Sequence, residues 1–134
     1  LKLLVAILAL AWSCGNAQTV VVEQSDRVVY DQVVMSFENR SVGMLPFFCD
    51  DEVDFSVQLS ADTLAEECLQ KQDAMENIRG LFQGVAFDAY TTETKLGTII
   101  FLKIFMDSER PDYTLHVFFV VDTTTKRINR IHIE

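Results

Sequence analysis

At 134 residues, 49% hydrophobic and 23% charged, the chain has the composition of one globular domain with a real core. Its net charge of -9, with acids scattered rather than run together, argues against nucleic acid, whose phosphates demand clustered Lys and Arg. The same balance argues against docking on an anionic membrane and fits a soluble acidic surface.

The first residues are read apart from the rest. Lys2 precedes an apolar run from Leu3 to Trp12, followed by Ser13, Cys14, Gly15, Asn16 and Ala17. Small residues at the -3 and -1 positions of a cut before Gln18 give the layout of a secretory signal peptide. The apolar run is too short to span a bilayer, and Trp12 is too bulky for a lipoprotein cut before Cys14. Residues 1–17 are therefore assigned to a signal peptide and 18–134 to one secreted, extracellular domain. Removing the signal leaves Cys49 and Cys68, an even pair in an oxidising compartment, and a disulfide between them is expected. Neither has a Cys or His at ligand spacing, so no metal is assigned.

Thr19 to Asn39 reads as a helix, with Val29, Val33 and Phe37 recurring at i, i+4 and i+8. Its valines lower intrinsic helix propensity, so packing must hold it. Asn39-Arg40-Ser41 is an N-glycosylation sequon in a polar break, which marks Asn39 as a glycan site. Gly43 to Cys49 forms a short helical turn around Pro46. Val53 to Gln58 alternates Val53, Phe55 and Val57 with Asp54, Ser56 and Gln58, the pattern of a half-buried strand. A second long helix is expected over Leu64 to Gln83. Thr63 and Glu66 stand at capping-box spacing, Leu64, Cys68, Met75, Ile78 and Phe82 follow helical spacing, and Gly84 can end it. Val85 to Thr92 then reads as a strand.

Thr98 to Ile133 organises the chain. Strands are predicted over Thr98 to Met106, Tyr113 to Val121 and Arg127 to Ile133, separated by the polar turns of residues 107–112 and 122–126. Pairing Met106 with Tyr113 sets Ile104 against Leu115 and Leu102 against Val117. Centring the last turn on Thr124 sets His116 against His132 and Val117 against Ile131. Alternation then gives one almost wholly apolar face, including Leu102, Val117, Phe119 and Ile131, and one mixed face. The mixed face carries Phe101, Phe105, Phe118, Val120 and Ile128 beside Lys103, Arg130, His116 and His132.

The element order, with Phe47-Phe48-Cys49-Asp50-Asp51-Glu52-Val53-Asp54-Phe55 after a polar break and a last strand at residues 126–132, resembles the nuclear transport factor 2-like superfamily. Steroid isomerase-like and polyketide cyclase-like enzymes belong to it, and small secreted nematode proteins of the superfamily are similar. The resemblance spans nearly all of 19–134. It implies an α+β fold, a cone-shaped curved antiparallel sheet wrapped around N-terminal helices, akin to the cystatin architecture, with a pocket at the open end. It also implies that sheet-face dimers occur. The cystatin Gln-x-Val-x-Gly hairpin is absent.

The residues fit the enzymatic members poorly. With the acidic pair aligned on Asp50-Asp51, the isomerase general base falls on Ser56 and the oxyanion-hole tyrosine on Gln32, and neither can do that work. Asp54 and Tyr30 lie two residues away and rescue the reading only if both shift together. His116 and His132 are the remaining catalytic candidates, weighed against two histidines on a mixed outer face. The expectation is a secreted, non-catalytic binding domain with a small apolar pocket, taking a small hydrophobic ligand and no cofactor. A weak homodimer is expected through Phe101, Phe105, Phe118 and Val120. The alternatives are an isomerase- or cyclase-like enzyme and a structural homodimer with a closed core.

Overall fold

The computed structural model describes residues 18–95, 97–110 and 112–134. The expected signal peptide, 1–17, lies outside them. Helix α1 (Gln18–Asn39) leads through a 3-10 turn (Leu45–Phe47) to strands β1 (Val53–Ser60) and β2 (Thr63–Leu69). Helix α2 (Lys71–Arg79) and a second 3-10 turn (Gly80–Gln83) follow. The chain ends in β3 (Ala86–Thr94), β4 (Gly97–Phe105), β5 (Thr114–Asp122) and β6 (Ile128–Ile133). All six strands form one curved, unclosed sheet in the order β2-β1-β6-β5-β4-β3. Every pairing is antiparallel except β1 with β6, so the sheet is mixed rather than wholly antiparallel.

The inner face of the sheet is the core. Ile100, Leu102, Ile104, Val117, Phe119, Val121 and Ile131 alternate inward and are fully buried or nearly so. Helix α1 lays Val29, Val33 and Phe37 against them, the spacing read from the sequence. The Phe37 ring meets Phe82 edge-on at 5.0 Å and Phe119 at 6.4 Å, filling the space between helix and sheet. A buried serine holds the reversal after α1. Ser36 Oγ donates to the Gln32 carbonyl at 2.7 Å and accepts the Met44 N–H at 2.9 Å, so neither polar group is orphaned. Gly97 opens β4 with φ 136°, and a Cβ there would collide with the Val121 carbonyl.

The helix expected over residues 64–83 is replaced in its first third by strand β2. The pair Thr63 and Glu66 is not a capping box. Ala61 and Asp62 form a tight turn, and Thr63–Leu69 runs back along β1, with Phe55 opposite Glu67 and Asp54 opposite Cys68. Helix α2 starts only after Gln70, whose extended backbone caps it, and buries Ala74, Met75 and Ile78.

In the C-terminal sheet the β4–β5 register is the one expected, Leu102 opposite Val117 and Ile104 opposite Leu115. The β5–β6 register differs by two residues, so Val117 faces Ile133 and Phe118 faces His132. His116 and His132 are therefore not partners; His116 exchanges backbone hydrogen bonds with Glu134, both at 2.9 Å. A slip of two leaves every side chain on its own face, because strand alternation has period two. Ile128 is the exception. A bulge between Val120 and Val121 places Ile128 opposite Val121, and it is fully buried rather than outward.

Candidate functional site

The outer face carries a continuous row of side chains across the whole sheet. The registers align Tyr90 on β3, Phe101 on β4, Phe118 on β5, His132 on β6, Ser56 on β1 and Glu66 on β2. Phe101 and Phe118 stack at 4.9 Å and 11°, Tyr90 stacks on Phe101 at 5.8 Å, and His132 lies 6.0 Å from Phe118. Rings stacked across neighbouring strands turn their faces to one another and their edges outward. The row is therefore a flat apolar strip, not a platform on which a planar ligand stacks. Tyr90 at its end is 53% exposed.

Polar pairs flank the strip. Ser56 Oγ and His132 Nδ1 are 2.7 Å apart, and His132 Nε2 lies 3.9 Å from Glu134 Oε2. The next row holds Arg130, Asp54 and Cys68. Asp54 accepts from the Cys68 thiol at 3.2 Å and meets the Arg130 guanidinium at 3.4 Å. The Asp54 carboxylate, by bond and by charge, pushes the Cys68 thiol pKa up. Lys103 stands opposite Asp88 in register and His116 beside Lys103. Lys103 Nζ lies 5.4 Å from the centre of the Phe105 ring. At the sheet's β2 end, Asp54, Ser56, Glu66, Glu67, Cys68 and Arg130 line a cleft of about 420 Å³.

A second cleft, about 370 Å³, opens between α1 and the β3–β4 hairpin and is lined by Asp26, Arg27, Tyr30, Thr91, Thr92, Glu93 and Thr98. Thr98 Oγ1 donates to Asp26 Oδ2 at 2.9 Å. Asp26 Oδ1 has no hydrogen-bond partner among the described residues, but Lys126 Nζ lies 3.4 Å away as an ion pair. Burial raises the pKa of Asp31, one turn from Arg27, whose charge opposes the rise. This lining mixes polar and apolar surface, and the hydrophobic core lies behind it.

The catalytic candidates are not brought together. Asp54 is exposed on the outer face, engaged by Arg130 and Cys68, whereas Tyr30 lies on the inner side with its hydroxyl donating to the Ala89 carbonyl at 3.4 Å. The sheet separates them, and Ser56, the position the alignment gave for the base, faces outward as well. Cys49 and Cys68 stand as free thiols in the structure, and the expected bridge between them is not shown. Strand alternation turns Cys68 outward onto Asp54, while the Cys49 N–H is bonded to the Ile128 carbonyl. Among the described residues no group of three or more His, Cys, Asp or Glu could hold a metal, and no helix is long and apolar enough to cross a membrane.

The dimer-face residues Phe101, Phe105, Phe118 and Val120 do share the outer face, all half-buried. Ser56 with His132, Asp54 with Arg130 and Cys68, and the acids of β2 were missed in the sequence. The outward positions of Val53–Gln58 were visible, but the strand beside them was not, because Thr63–Leu69 read as helix.

No protein-family model matches the sequence, and no curated protein does. Solved structures do. An NTF2-like protein from Burkholderia xenovorans LB400 superposes with a TM-score of 0.64 at 7% identity, over 85% of this chain and 84% of that one. An NTF2-like protein from Shewanella baltica OS155 gives 0.59 at 9% identity, over 89% and 97%. A steroid delta-isomerase from Pseudomonas aeruginosa gives 0.56 at 9%, over 81% and 77%. With the curved sheet, the helix across its inner face and these superpositions in hand, the chain has the nuclear transport factor 2-like fold.

Proposed function

We propose that this chain is a secreted, non-catalytic binding domain that uses the outer face of its sheet as an interaction surface, first of all with a second copy of itself. The observation that carries this reading is the stacked strip Tyr90, Phe101 and Phe118, apolar surface that the core does not need. Covering it with a second copy removes apolar area from water at about 25 cal/mol per Å², against the entropy of docking. A self-complementary contact of this kind is two-fold. The Arg130 charges beside the strip would repel across the axis, but Asp54 stands against Arg130 on the same face. The small ligand expected of the fold has its place in the cleft beside Tyr30.

The isomerase-like reading rests on Asp54 and Tyr30 acting together, and these two are on opposite sides of the sheet. Sedimentation tests the proposal. The wild type is expected to associate in the micromolar range and Phe118→Glu to remain monomeric and folded. A wild type that stays monomeric at high micromolar concentration would overturn it.

Secretion and glycosylation belong to the same reading. Asn39 and Ser41 are exposed in the turn that ends α1, where a transferase could reach them. Protein made in a eukaryotic secretory pathway is expected to gain gel mobility on enzymatic deglycosylation. Asn39→Gln should abolish that gain, and a wild type that shows none would refute the assignment.

A further inference from the structure

Strand β2 is the sheet's terminal strand, pairing with β1 alone among the described residues. Six of its seven residues are exposed. The Thr63 carbonyl at its start accepts from Gln58 Nε2 of β1 at 3.2 Å. Alternate backbone N–H and C=O groups along Leu64–Leu69 are thus a free template for another strand. Glu66 points to the outer face, opposite Ser56, and Glu67 to the inner side, opposite Phe55, so the edge presents an acid on both sides.

These acids decide what can pair there. Full antiparallel overlap of two copies of this seven-residue strand places Glu66 directly opposite its own copy, acid against acid. Like charges directly opposite are destabilising, so the edge is guarded against self-pairing. The same acids favour a cationic strand. The adjoining cleft of about 420 Å³ adds Asp54 to Glu66 and Glu67, with Arg130 the opposing charge. The chain as a whole adds a net charge of -9. Asp54, first by its hydrogen bond and then by its charge, raises the Cys68 thiol pKa, and Glu52 and Glu66 add to the rise.

We infer that β2 is a docking edge for an extended basic peptide, which adds to the sheet as a seventh strand and lays a Lys or Arg side chain into the cleft against Asp54 and Glu66. The backbone bonds supply affinity and the acids supply selectivity, repelling a second copy and attracting a cationic partner. This surface is separate from the aromatic strip and does not depend on dimerisation.

The test uses a fluorescent Lys-Val-Lys-Val-Lys-Val-Lys peptide, the same peptide N-methylated at alternate residues, and a Glu-Val counterpart. Anisotropy is expected to show saturable binding of the first only, weakened at least about tenfold by the double substitution E66Q/E67Q. Amide exchange should slow along Leu64–Leu69 on binding, and Phe118→Glu should bind as well as wild type. Equal binding of the N-methylated peptide would mean charge attraction without strand addition. Slowed exchange along Ala86–Thr94 instead would place the peptide on the other edge. Either result, or no binding at low salt, overturns the proposal.

Discussion

Phe118 and Phe119 are neighbours in sequence and belong to different problems. Phe119 points inward, is fully buried and meets Phe37 of α1. Phe118 points outward, stacks on Phe101 and retains exposure. The inner face is fixed by volume, since its residues must fill the space under α1 at native density. The outer face obeys no such demand. Its rings organise one another across strands, yet fold closure would proceed with polar residues there. Apolar surface that the fold does not require is the surface available for binding.

That contrast sets the sizes of the expected effects. Phe119→Ala leaves a cavity against Phe37 and should cost about 3–5 kcal/mol of stability in denaturant unfolding. A loss under about 1 kcal/mol would mean that the inner face is not the packed core described. Phe118→Glu should change monomer stability by no more than about 1 kcal/mol while weakening self-association at least about 100-fold. If it unfolds the monomer, the two faces are not separable.

The smallest effect concerns the last turn. Backbone N–H groups of Thr125 and Thr124 donate to the Asp122 carboxylate at 2.8 and 3.0 Å and lower its pKa. A depressed folded-state pKa contributes stability that is fully present above the unfolded value of about 3.9 and is lost as pH falls through the folded value. Wild type should therefore exceed Asp122→Ala in stability at pH 6, and the gap should shrink below about pH 4. A gap of the same size at pH 6 and pH 3 would contradict this role.

Where burial on one side imposes alternation, the sequence was legible. Leu102, Val117 and Phe119 declared the inner face, and Phe101 and Phe118 the outer one, even though the β5–β6 register was two residues off. The misplaced residue, Ile128, sits at a bulge, and a bulge breaks period two without leaving a local signal. Strand β2 was illegible for a different reason. An exposed edge strand has no buried face to impose alternation, so Thr63–Leu69 carries charges on both sides and a fortuitous Thr-x-x-Glu spacing. The outer-face polar pairs inherit that failure. Asp54 meets Cys68 only if β2 is a strand, and Ser56 meets His132 only if β1 runs parallel to β6, a long-range pairing that no local pattern specifies.

The separation of the two faces is tested most directly by placing 4-fluorophenylalanine at residue 118 or at residue 119 and following each fluorine resonance through a dilution series from millimolar to low micromolar protein. The fluorine at 118 should move with concentration as the outer strip is uncovered, while the one at 119 stays fixed in the core. A resonance at 118 that does not move over that range, or one at 119 that moves with it, would contradict the assignment of the outer face as the interaction surface.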